Sequence, residues 1–405
     1  MTTEPSTVAA PGRSLRVLMI APTSFFGDYG CHVRILEEIR ALQARGHRVA
    51  LVTYHMGRDL PEVDIRRTMA IPLRSDYEVG SSRHKVAFDM LLFGRAFRAM
   101  VRFRPDIIHG HLHEGGLIGW ALSKLSGKPL VFDYQGSLTG EMSDHGFLRP
   151  EGRWYKAMQR LERQIDHLAP EIVTSSGRAS QQLCESFGCD PERITELPDC
   201  VNIEAFAPAT RNDAWRALRR AYGVPAGRRV VVYLGLLATH QGIDHLLEAA
   251  RRIRAQRDDV HWLIGGYPNV EHYADQARQL GLANCTSFAG KVPYEQAPRF
   301  MGLGDVAVSP KLSRTEGAGK LLNYMALALP TVSFDSAVSR EYLGDLGLYA
   351  EFGSVEDLAA KLALALDDTA LCASLGPALR ARAKAHFSWD HSGDLLLQAY
   401  DRLLG

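Results

Sequence analysis

The chain has 405 residues, of which 46% are hydrophobic and 23% are charged, a composition typical of an ordinary globular protein and a length that predicts two domains. The formal net charge of +1 argues against a nucleic-acid partner, because such proteins carry a large excess of positive charge. The six cysteines include no CxxC pair, so their spacing indicates neither a zinc site nor a disulfide framework.

The same sequence suggests a compartment. No segment approaches the ~18 consecutive apolar residues that a transmembrane helix needs. Residues 1–13 lack the apolar region of a signal peptide and are predicted to form a disordered tail. Scattered cysteines are typical of a reducing environment. We therefore expect a cytoplasmic protein.

Apolar runs alternate with amphipathic stretches from residue 15 onwards, as strands and helices do in an α/β protein. A first series of strands is predicted at 15–21, 48–54, 106–111, 130–134, 171–176 and 193–198. A second series is predicted at 230–236, 261–266, 286–290, 305–310, 330–334 and 348–352. Helices are predicted near 31–45, 83–103, 115–126, 151–168, 177–187 and 387–404.

Two Rossmann-like, doubly wound domains follow from this order, at residues 14–200 and 211–386. Between them, residues 201–210 contain Pro208 and show no periodicity, so they are predicted to be a linker.

Glycines and polar residues follow the predicted strands of the first domain, at the edge where open α/β sheets bind ligands. The candidates are Gly27, Gly30, His109, His111, His113, Glu114, Gln135, Gly136 and Ser137. Structural roles stay open for several of them. His109 is favoured as an interior histidine, the residues at 113 and 114 could cap the next helix, and those at 135 and 137 could be turn residues.

The second domain carries its candidates in the segment SPKLSRTEGAGKLLNYMALALPTVSF, residues 309–334. Glycines before a helix leave backbone N–H groups at its positive end, which suits a diphosphate, and Lys320 adds a positive charge there. Glu316 could accept hydrogen bonds from sugar hydroxyls. Diphosphate and polyol together predict a nucleotide-sugar. The alternative is that Glu316 and Lys320 are solvated surface residues.

This segment resembles the donor-site signature of the retaining glycosyltransferases of family 4, also called glycosyl transferases group 1. Glu316, Met325, Ala326 and Pro330 match the family pattern, whereas Asn323 stands near the place of its second glutamate. RPDIIHGHLHEGG and ARGHRVALVT in the first half also resemble family motifs, and matching segments extend to the last helix. The resemblance implies the GT-B fold, in which two Rossmann-like domains face each other across a cleft. It also implies that helix 387–405 packs back on the first domain.

One departure concerns charge. The family places a Gly-Arg and a Lys-Gly around the diphosphate, whereas this chain keeps Gly235 but has Leu236 and Gln241 in place of the two cations. Losing one such electrostatic contact can cost about 3 kcal/mol in catalysis. We expect Lys320, Lys291, Arg314 and the helix dipole to compensate.

The resemblance implies a role for each candidate. His111, Glu316 and Lys320 are the expected catalytic residues. The expected donor-binding residues are Gly235, Gln241, Lys291, Arg314, Gly317, Ala318, Gly319 and Asn323. The expected acceptor-binding residues are Gly27, Gly30, His113, Glu114, Gln135, Gly136 and Ser137.

The implied reaction is hexosyl transfer from a nucleotide diphosphate-sugar to a hydroxyl of a glycan, glycolipid or small molecule, with retention. His111 would polarise the reacting centre, and no protein nucleophile is required. The chain contains no DxD motif, so neither a metal nor a cofactor is expected beyond the nucleotide-sugar co-substrate. The implied process is glycan biosynthesis.

Residues 81–105 combine six cations with one acid and several apolar residues. Such a basic amphipathic helix can bind an anionic membrane, which suits the lipid-linked acceptors of several family members. A peripheral position at the inner face of the cell membrane would follow. A solvated basic face is the favoured alternative.

Other classes of function stay open. A dinucleotide-dependent oxidoreductase is disfavoured because the first strand is not followed by GxGxxG. A GT-B epimerase or hydrolase would act on the nucleotide-sugar alone, and a non-catalytic partner subunit would explain Leu236, Gln241 and Asn323. Nucleotide release that depends on an added acceptor distinguishes these alternatives.

Overall fold

The computed structural model describes residues 14–27, 30–70, 85–144, 148–149, 152–313 and 317–405. The predicted tail, residues 1–13, lies outside this set, as do Arg83, Arg314 and Glu316. The described chain forms two compact units. The first contains the residues through Leu197 together with Gly393–Gly405, and the second is Pro198–Ser392.

The first unit is built on a seven-stranded parallel sheet. Its strands are β1 (Arg16–Ala21), β2 (Arg48–Thr53), β3 (Asp64–Arg67), β4 (Ile107–His111), β5 (Leu130–Tyr134), β6 (Glu171–Thr174) and β7 (Ile194–Glu196). They lie in the order β3-β2-β1-β4-β5-β6-β7, and every pair is parallel. The order reverses between β1 and β4, so the ligand-binding crevice of this topology is expected beyond their carboxyl ends.

Six helices connect these strands. They are α1 (Gly30–Ala44), α2 (Lys85–Phe103), α3 (Leu112–Ser126), α4 (Leu138–Asp144), α5 (Arg153–Asp166) and α6 (Gly177–Gln182), the last continued by a π-helical turn at Leu183–Phe187 and followed by a 3-10 turn at Pro191–Arg193. The strands β1, β4 and β5 are buried along almost their whole length, as parallel strands covered on both faces must be.

The second unit repeats the same topology with six parallel strands. They are β8 (Arg229–Leu234), β9 (Val260–Gly265), β10 (Thr286–Gly290), β11 (Val306–Ser309), β12 (Thr331–Phe334) and β13 (Leu348–Ala350). Their order is β10-β9-β8-β11-β12-β13, so here the reversal falls between β8 and β11.

Eight helices belong wholly to this unit. They are α7 (Asp213–Ala221), α8 (Ile243–Arg254), α9 (Val270–Gln279), α10 (Ala297–Met301), α11 (Gly319–Ala326), α12 (Ala337–Leu343), α13 (Val355–Asp367) and α14 (Thr369–His386), with 3-10 turns at Thr239–Gln241, Tyr294–Gln296 and Gly344–Leu346. The last helix, α15 (Trp389–Leu404), begins in this unit, and its residues from Gly393 onwards belong to the first.

The segment predicted to be a linker is anchored within the second unit. Val201, Ile203 and Phe206 are buried in its core. The N–H of Val201 donates to the carbonyl of Phe387 at 2.9 Å. Residues 201–206 are therefore packed rather than extended in solvent.

Among the described residues, no single helix has both the length and the apolar composition needed to cross a bilayer. The consecutive helices α13 and α14, bent by 96°, meet the criterion together on length and composition alone.

Candidate functional site

The candidates of the second unit lie around the carboxyl end of β8. The ammonium of Lys320, in the first turn of α11, donates to the hydroxyl of Tyr233 and to the side-chain oxygen of Gln241, both at 3.0 Å. It also lies 4.3 Å from the centroid of the Tyr233 ring. Burial raises the pKa of Tyr233 well above its ordinary value, so its hydroxyl stays protonated and donates to the carbonyl of Leu236 at 2.9 Å.

Gly235 makes this position of Lys320 possible. A Cβ at residue 235 would lie 2.6 Å from the Lys320 ammonium nitrogen and 2.8 Å from the Tyr233 hydroxyl, closer than real Cβ contacts. The structure therefore brings together three predicted donor-site residues: Gly235, Gln241 and Lys320. Gln241 supplies a hydrogen-bond acceptor for the lysine where the family pattern would have placed a second cation.

No side chain of the described residues caps the N-terminus of helix α11. Ala318, the residue before its first turn, offers no capping oxygen, and Gly317 and Gly319 beside it are exposed. Nearby, Lys311 donates to the carbonyl of Gly317 at 2.6 Å. The N-terminal N–H groups, the helix dipole and two lysines thus concentrate positive potential at this point. The predicted Arg314 and Glu316 lie outside the described residues.

Two further donor-site candidates lie on neighbouring elements. Lys291 directly follows β10, and its ammonium nitrogen lies 5.0 Å from the centroid of the Tyr267 ring. Asn323 is partly exposed and stands three residues after Lys320, on the same side of α11. Its neighbour Tyr324 is buried, and its hydroxyl accepts from the N–H of Leu234 at 3.1 Å, so this tyrosine anchors α11 to β8.

In the first unit, His111 ends β4 and is fully buried. Its Nδ1 lies 2.8 Å from the Asp133 carboxylate on β5, which Arg34 of α1 contacts at 3.0 Å. Burial opposes ionisation of Asp133, but the Arg34 guanidinium and the His111 ring outweigh it and hold the pKa of the carboxyl well below its usual range. An ionised Asp133 orients the His111 ring, because Nδ1 must carry the proton shared with it.

His109 occupies the interior position that was favoured for it. Its Nδ1 is 2.7 Å from the Tyr400 hydroxyl, and its ring stacks on that of His111 with centroids 4.4 Å apart. Complete burial, with a smaller effect of the neighbouring His111, lowers the pKa of His109 well below its ordinary value. His109 is therefore neutral at physiological pH.

The candidates after β5 serve the local structure as well as any ligand. Gln135 donates to the Asp133 carboxylate at 2.6 Å. Gly136 has φ of +154°, a conformation that favours glycine. The Ser137 hydroxyl accepts from the N–H of Gly140 at 3.1 Å, so it caps the first turn of α4.

The candidates after β1 are near the start of α1. The N–H of Gly27 donates to Nδ1 of His32 at 2.8 Å, and Gly30 is exposed as the first residue of the helix. A Cβ at Gly30 would meet no atom within 4 Å, so packing does not require a glycine there.

His113 lies in a buried cluster, in the first turn of α3. Its Nε2 is 3.3 Å from Asp166 and 3.7 Å from Glu162, both on α5. Burial disfavours the charged ring, but Asp166 and Glu162 outweigh burial and raise the pKa of His113. Burial also raises the pKa of Asp166, which His113 partly offsets. Glu114 is partly exposed in the first turn of α3, where a carboxylate favours the helix dipole.

Glycines allow α3 to approach the sheet closely. A Cβ at Gly110 would lie 2.4 Å from the carbonyl oxygen of Gly115, and one at Gly115 would lie 2.6 Å from that of Ile20. Between β4 and α3, Leu112 has φ of +59°, which is costly for a residue with a Cβ. This sharp turn puts His111 at the strand end and His113 two residues beyond it.

The motifs in the sequence did not indicate Arg34, Asp133, Tyr233 or Lys311. Arg34, Glu37 and Glu38 are charged and yet 3% exposed or less, on the inner side of α1. Charged residues at core-facing positions of an amphipathic helix are a signal that could have indicated a buried ionic network.

Comparison with known families covers most of the chain. Residues 216–382 match the model of the family described as "Glycosyl transferases group 1", and residues 29–200 match that of the "Glycosyl transferase 4-like domain". The D-inositol 3-phosphate glycosyltransferase of Thermobispora bispora is 26% identical over 401 residues, covering 93% of this chain and 90% of the relative.

Solved structures resemble the fold at low sequence identity. Sucrose-phosphate synthase from Thermosynechococcus elongatus has a TM-score of 0.80 and 18% identity, covering 96% of this chain and 99% of its own. Anabaena Alr3699/HepE in complex with UDP-glucose has a TM-score of 0.76 and 16% identity. The match covers 96% of this chain and 100% of the HepE chain.

Proposed function

Because this chain belongs to the glycosyl transferases of group 1 and has their GT-B fold, we propose that it moves a sugar from a nucleotide diphosphate-sugar to an acceptor hydroxyl with retention. The class of enzyme, glycosyltransferase, follows from the family. The nucleotide-sugar donor, the hexosyl type, the retention and the independence from metal are parts of the proposal.

The observation that carries the proposal is the position of Lys320. Its ammonium is held by Tyr233 and Gln241 beside Gly235, at the uncapped N-terminus of α11. An anion at this point would meet backbone N–H groups, the helix dipole and a positioned cation. A departing nucleoside diphosphate develops negative charge in the transition state, which such preorganised groups stabilise.

We assign the remaining donor contacts to the same unit. Lys291 and Lys311 would supply further positive charge, and Asn323 would hydrogen-bond the ribose. Glu316 would hold sugar hydroxyls, and Arg314 would assist with the phosphates, as the family resemblance implies. The chain lacks the Arg and Lys that the family pattern places at residues 236 and 241, so Lys320 carries a larger share of the binding here.

We assign the acceptor to the first unit. His111, oriented by Asp133 and Arg34, would polarise the reacting centre. The leaving phosphate would accept the proton of the acceptor hydroxyl, so no protein nucleophile is needed. The acceptor-binding roles of Gly27, Gly30, Glu114 and the residues after β5 stay predictions. The ring of His113 could contribute only from a buried position.

A thermal-shift screen across nucleotide diphosphate-sugars tests donor binding. A ligand at ~100 times its dissociation constant stabilises the native protein by about 2.7 kcal/mol. UDP-glucose is the first probe, because HepE has been crystallised with it. Lys320→Ala should abolish the shift, whereas Lys384→Ala, which removes an exposed lysine of α14, should leave it intact. A shift of equal size in both variants would refute the assignment.

Nucleotide release with and without acceptors separates transfer from the alternatives. D-inositol 3-phosphate is one probe, because the relatives are named for it. Acceptor-dependent release supports transfer, acceptor-independent release supports a hydrolase, and isomerised sugar without release supports an epimerase. A partner subunit would bind or release nothing alone. The anomeric proton of the product, read by NMR, tests retention.

A second proposal concerns α2 and a membrane. Its residues Phe88 and Leu92 are buried, so they belong to the core. An outer stripe of apolar residues is exposed, with Met90 at 66%, Phe97 at 43% and Val101 at 56%. Exposed arginines at 98 and 102 directly follow Phe97 and Val101 in the helix. An apolar stripe among cations supports peripheral contact with anionic lipid over a merely solvated face.

Flotation with liposomes tests this contact. The chain should float with vesicles that contain anionic lipid and not with neutral ones. The double substitution Phe97→Ser with Arg98→Ser should weaken flotation, whereas the exposed basic pair of α8, changed as Arg251→Ser with Arg252→Ser, should not. Equal flotation with both lipid types, or no flotation with either, would remove the proposal.

A further inference from the structure

We propose that His113, Glu162 and Asp166 form a binding site for one divalent metal ion, Zn²⁺ being the ion that fits best. This site belongs to the first unit and is independent of sugar transfer. The ligand atoms of the three side chains lie within 4.8 Å of one another, and all three residues are buried.

The separations of the ligand atoms fit a small cation. Zinc bonds to imidazole nitrogen and carboxylate oxygen are about 2.0–2.2 Å long, so tetrahedral ligands lie about 3.4 Å apart. His113 Nε2 is 3.3 Å from Asp166 Oδ1 and 3.7 Å from Glu162 Oε1. One ion can therefore contact all three atoms with small side-chain adjustments.

Hydrogen bonding leaves these atoms available. Within the described part of the chain, His113 Nε2 and the Asp166 carboxylate pair with each other at 3.3 Å but make no hydrogen bond, although Asp166 is 0% exposed and His113 is 3% exposed. The hydroxyl of Tyr134, also buried, has none either. Buried polar atoms without partners cost about 1–3 kcal/mol each, so their convergence indicates a ligand.

Charge gives a second argument. Two carboxylates converge in this buried cluster, and buried negative charge without compensation is expensive. A divalent cation would neutralise both carboxylates. A second buried cluster of such side chains among the described residues, Glu38, His109, His111 and Asp133, differs because Arg34 already pairs with both of its carboxylates at 3.0 Å.

Glu162 is held as a metal ligand would be. Its carboxylate accepts from the N–H of Leu138 at 2.8 Å and from that of Thr139 at 3.0 Å, as well as from the Thr139 hydroxyl. Such outer partners orient metal ligands. An ion here would join the first turn of α3, the start of α4 and the end of α5, close to His111 and Ser137. The ion would have a structural role, fixing the segments that carry the predicted acceptor residues.

Metal binding is tested on the full-length chain after removal of metal with a chelator. Wild-type protein should bind one equivalent of Zn²⁺, and Zn²⁺ should raise its unfolding midpoint. Co²⁺ in its place should give the visible absorption of a low-symmetry nitrogen and oxygen site. Asp166→Asn, which keeps the side-chain shape, should lower Zn²⁺ affinity at least ~10-fold and remove the shift. Glu185→Gln, an exposed carboxylate of the same unit, should change neither.

Two results would overturn the proposal. Absence of binding by the wild type at micromolar Zn²⁺ would leave a His113–Asp166 ion pair as the account of the cluster. Binding that persists in Asp166→Asn but is lost in Cys189→Ser would place the ion at thiols, since six cysteines are free. If Asp166→Asn does not fold, His113→Gln makes the same comparison. None of these measurements depends on transferase activity.

Discussion

Gly235 controls where the Lys320 ammonium lies. In Gly235→Ala, the new Cβ would fall 2.6 Å from the ammonium nitrogen and force the lysine away from Tyr233 and Gln241. The Lys320 ammonium would keep its charge but lose its position. We expect a loss of about 10²-fold in kcat/KM, the size of losing one oriented electrostatic contact, measured as acceptor-dependent nucleotide release.

Gly94→Ala is the control for this variant. Gly94 lies in α2, and a Cβ there would meet no atom within 4 Å. Activity should be retained. If Gly235→Ala keeps full activity while remaining folded, the position of Lys320 is not what binds the diphosphate, and the donor assignment fails.

His109 should make the first unit sensitive to acid. Its folded pKa lies well below the ordinary value of about 6.5 because it is buried, with His111, Asp133, Glu38 and Tyr400 around it. The unfolded state therefore binds more protons, and stability falls as pH drops below about 6.5, by about 1.4 kcal/mol per unit for this group.

Urea unfolding at pH 6.5 and 5.5 measures this effect. His109→Gln should lose about 1 kcal/mol less than the wild type between the two values, whatever its stability at pH 7, because the unfolded histidine is already half protonated at pH 6.5. His272→Gln, an exposed histidine of α9, should behave as the wild type does. Identical pH dependence in His109→Gln and the wild type would mean that the ring is protonated in the folded state.

At the residue scale, the sequence predicted Gly235, Gln241 and Lys320 as donor-site residues, but not that Gln241 and Tyr233 hold the lysine. Gly235 and Lys320 stand in recognisable motifs. Tyr233 supplies its hydroxyl from the end of a strand that had been predicted only as an apolar run. The pairs Arg34–Asp133 and His113–Asp166 span 99 and 53 positions, and no local pattern reports such contacts.

At the element scale, helix α3 depends on glycines facing the sheet. Gly115→Ala would place a Cβ 2.6 Å from the carbonyl oxygen of Ile20, and backbone cannot move aside cheaply. Overpacking of this kind costs about 1–3 kcal/mol. We expect a destabilisation of that size in denaturant unfolding. The matched change Gly94→Ala in α2 should instead stabilise by up to ~1 kcal/mol, as expected for alanine in an open helix position.

The test is the difference in stability change between the alanine variants in α3 and α2. If Gly115→Ala and Gly94→Ala shift the unfolding midpoint equally, α3 does not approach β1 as closely as described. The pair also separates packing from propensity, because both substitutions remove the same backbone freedom from the unfolded chain.

The predicted strands correspond to all strands of the two sheets except one, from the long apolar runs of β1 and β8 to the short β7. Strand β3 was not predicted, because its four residues, Asp64–Arg67, are mostly charged and lie at the sheet edge. Helix α4 was not predicted either. Its seven residues are too few for a clear helical period, and its start depends on Ser137 and Glu162. Short elements at edges and in connections are set by tertiary partners.

At the scale of the whole molecule, two sheets share one topology, with the strand order reversing between β1 and β4 and between β8 and β11. The alternation of strands and helices was enough to predict this repetition. Most candidate residues follow these same four strands, as the switch-point rule favours, and the others follow β5 and β10. The local patterns alone did not place the chain terminus, but the family resemblance predicted that helix 387–405 packs back on the first domain, and Gly393–Gly405 belong to the first unit.

Tyr400 is the buried residue through which the chain terminus completes the first unit. It is 0% exposed, and its hydroxyl meets His109 Nδ1 at 2.7 Å, while Arg402 pairs with Glu171 of β6. Tyr400→Phe would leave a buried ring nitrogen without its partner, at a cost of about 1–3 kcal/mol. Because two units need not unfold together, a single midpoint would not report this locally.

Hydrogen exchange of peptides gives the local measurement. In Tyr400→Phe, peptides from β4 and β5 should exchange faster, with protection lowered by up to the same 1–3 kcal/mol, while peptides from β8 and β9 should be unchanged. Tyr155→Phe, a partly exposed tyrosine of α5, serves as the control. Removal of residues 393–405 should increase the exchange of the same peptides further. The truncation removes Tyr400 and Arg402, and it also removes Asp394, which pairs with Arg45. Unchanged exchange in β4 after this truncation would mean that the terminal helix is not part of the first unit.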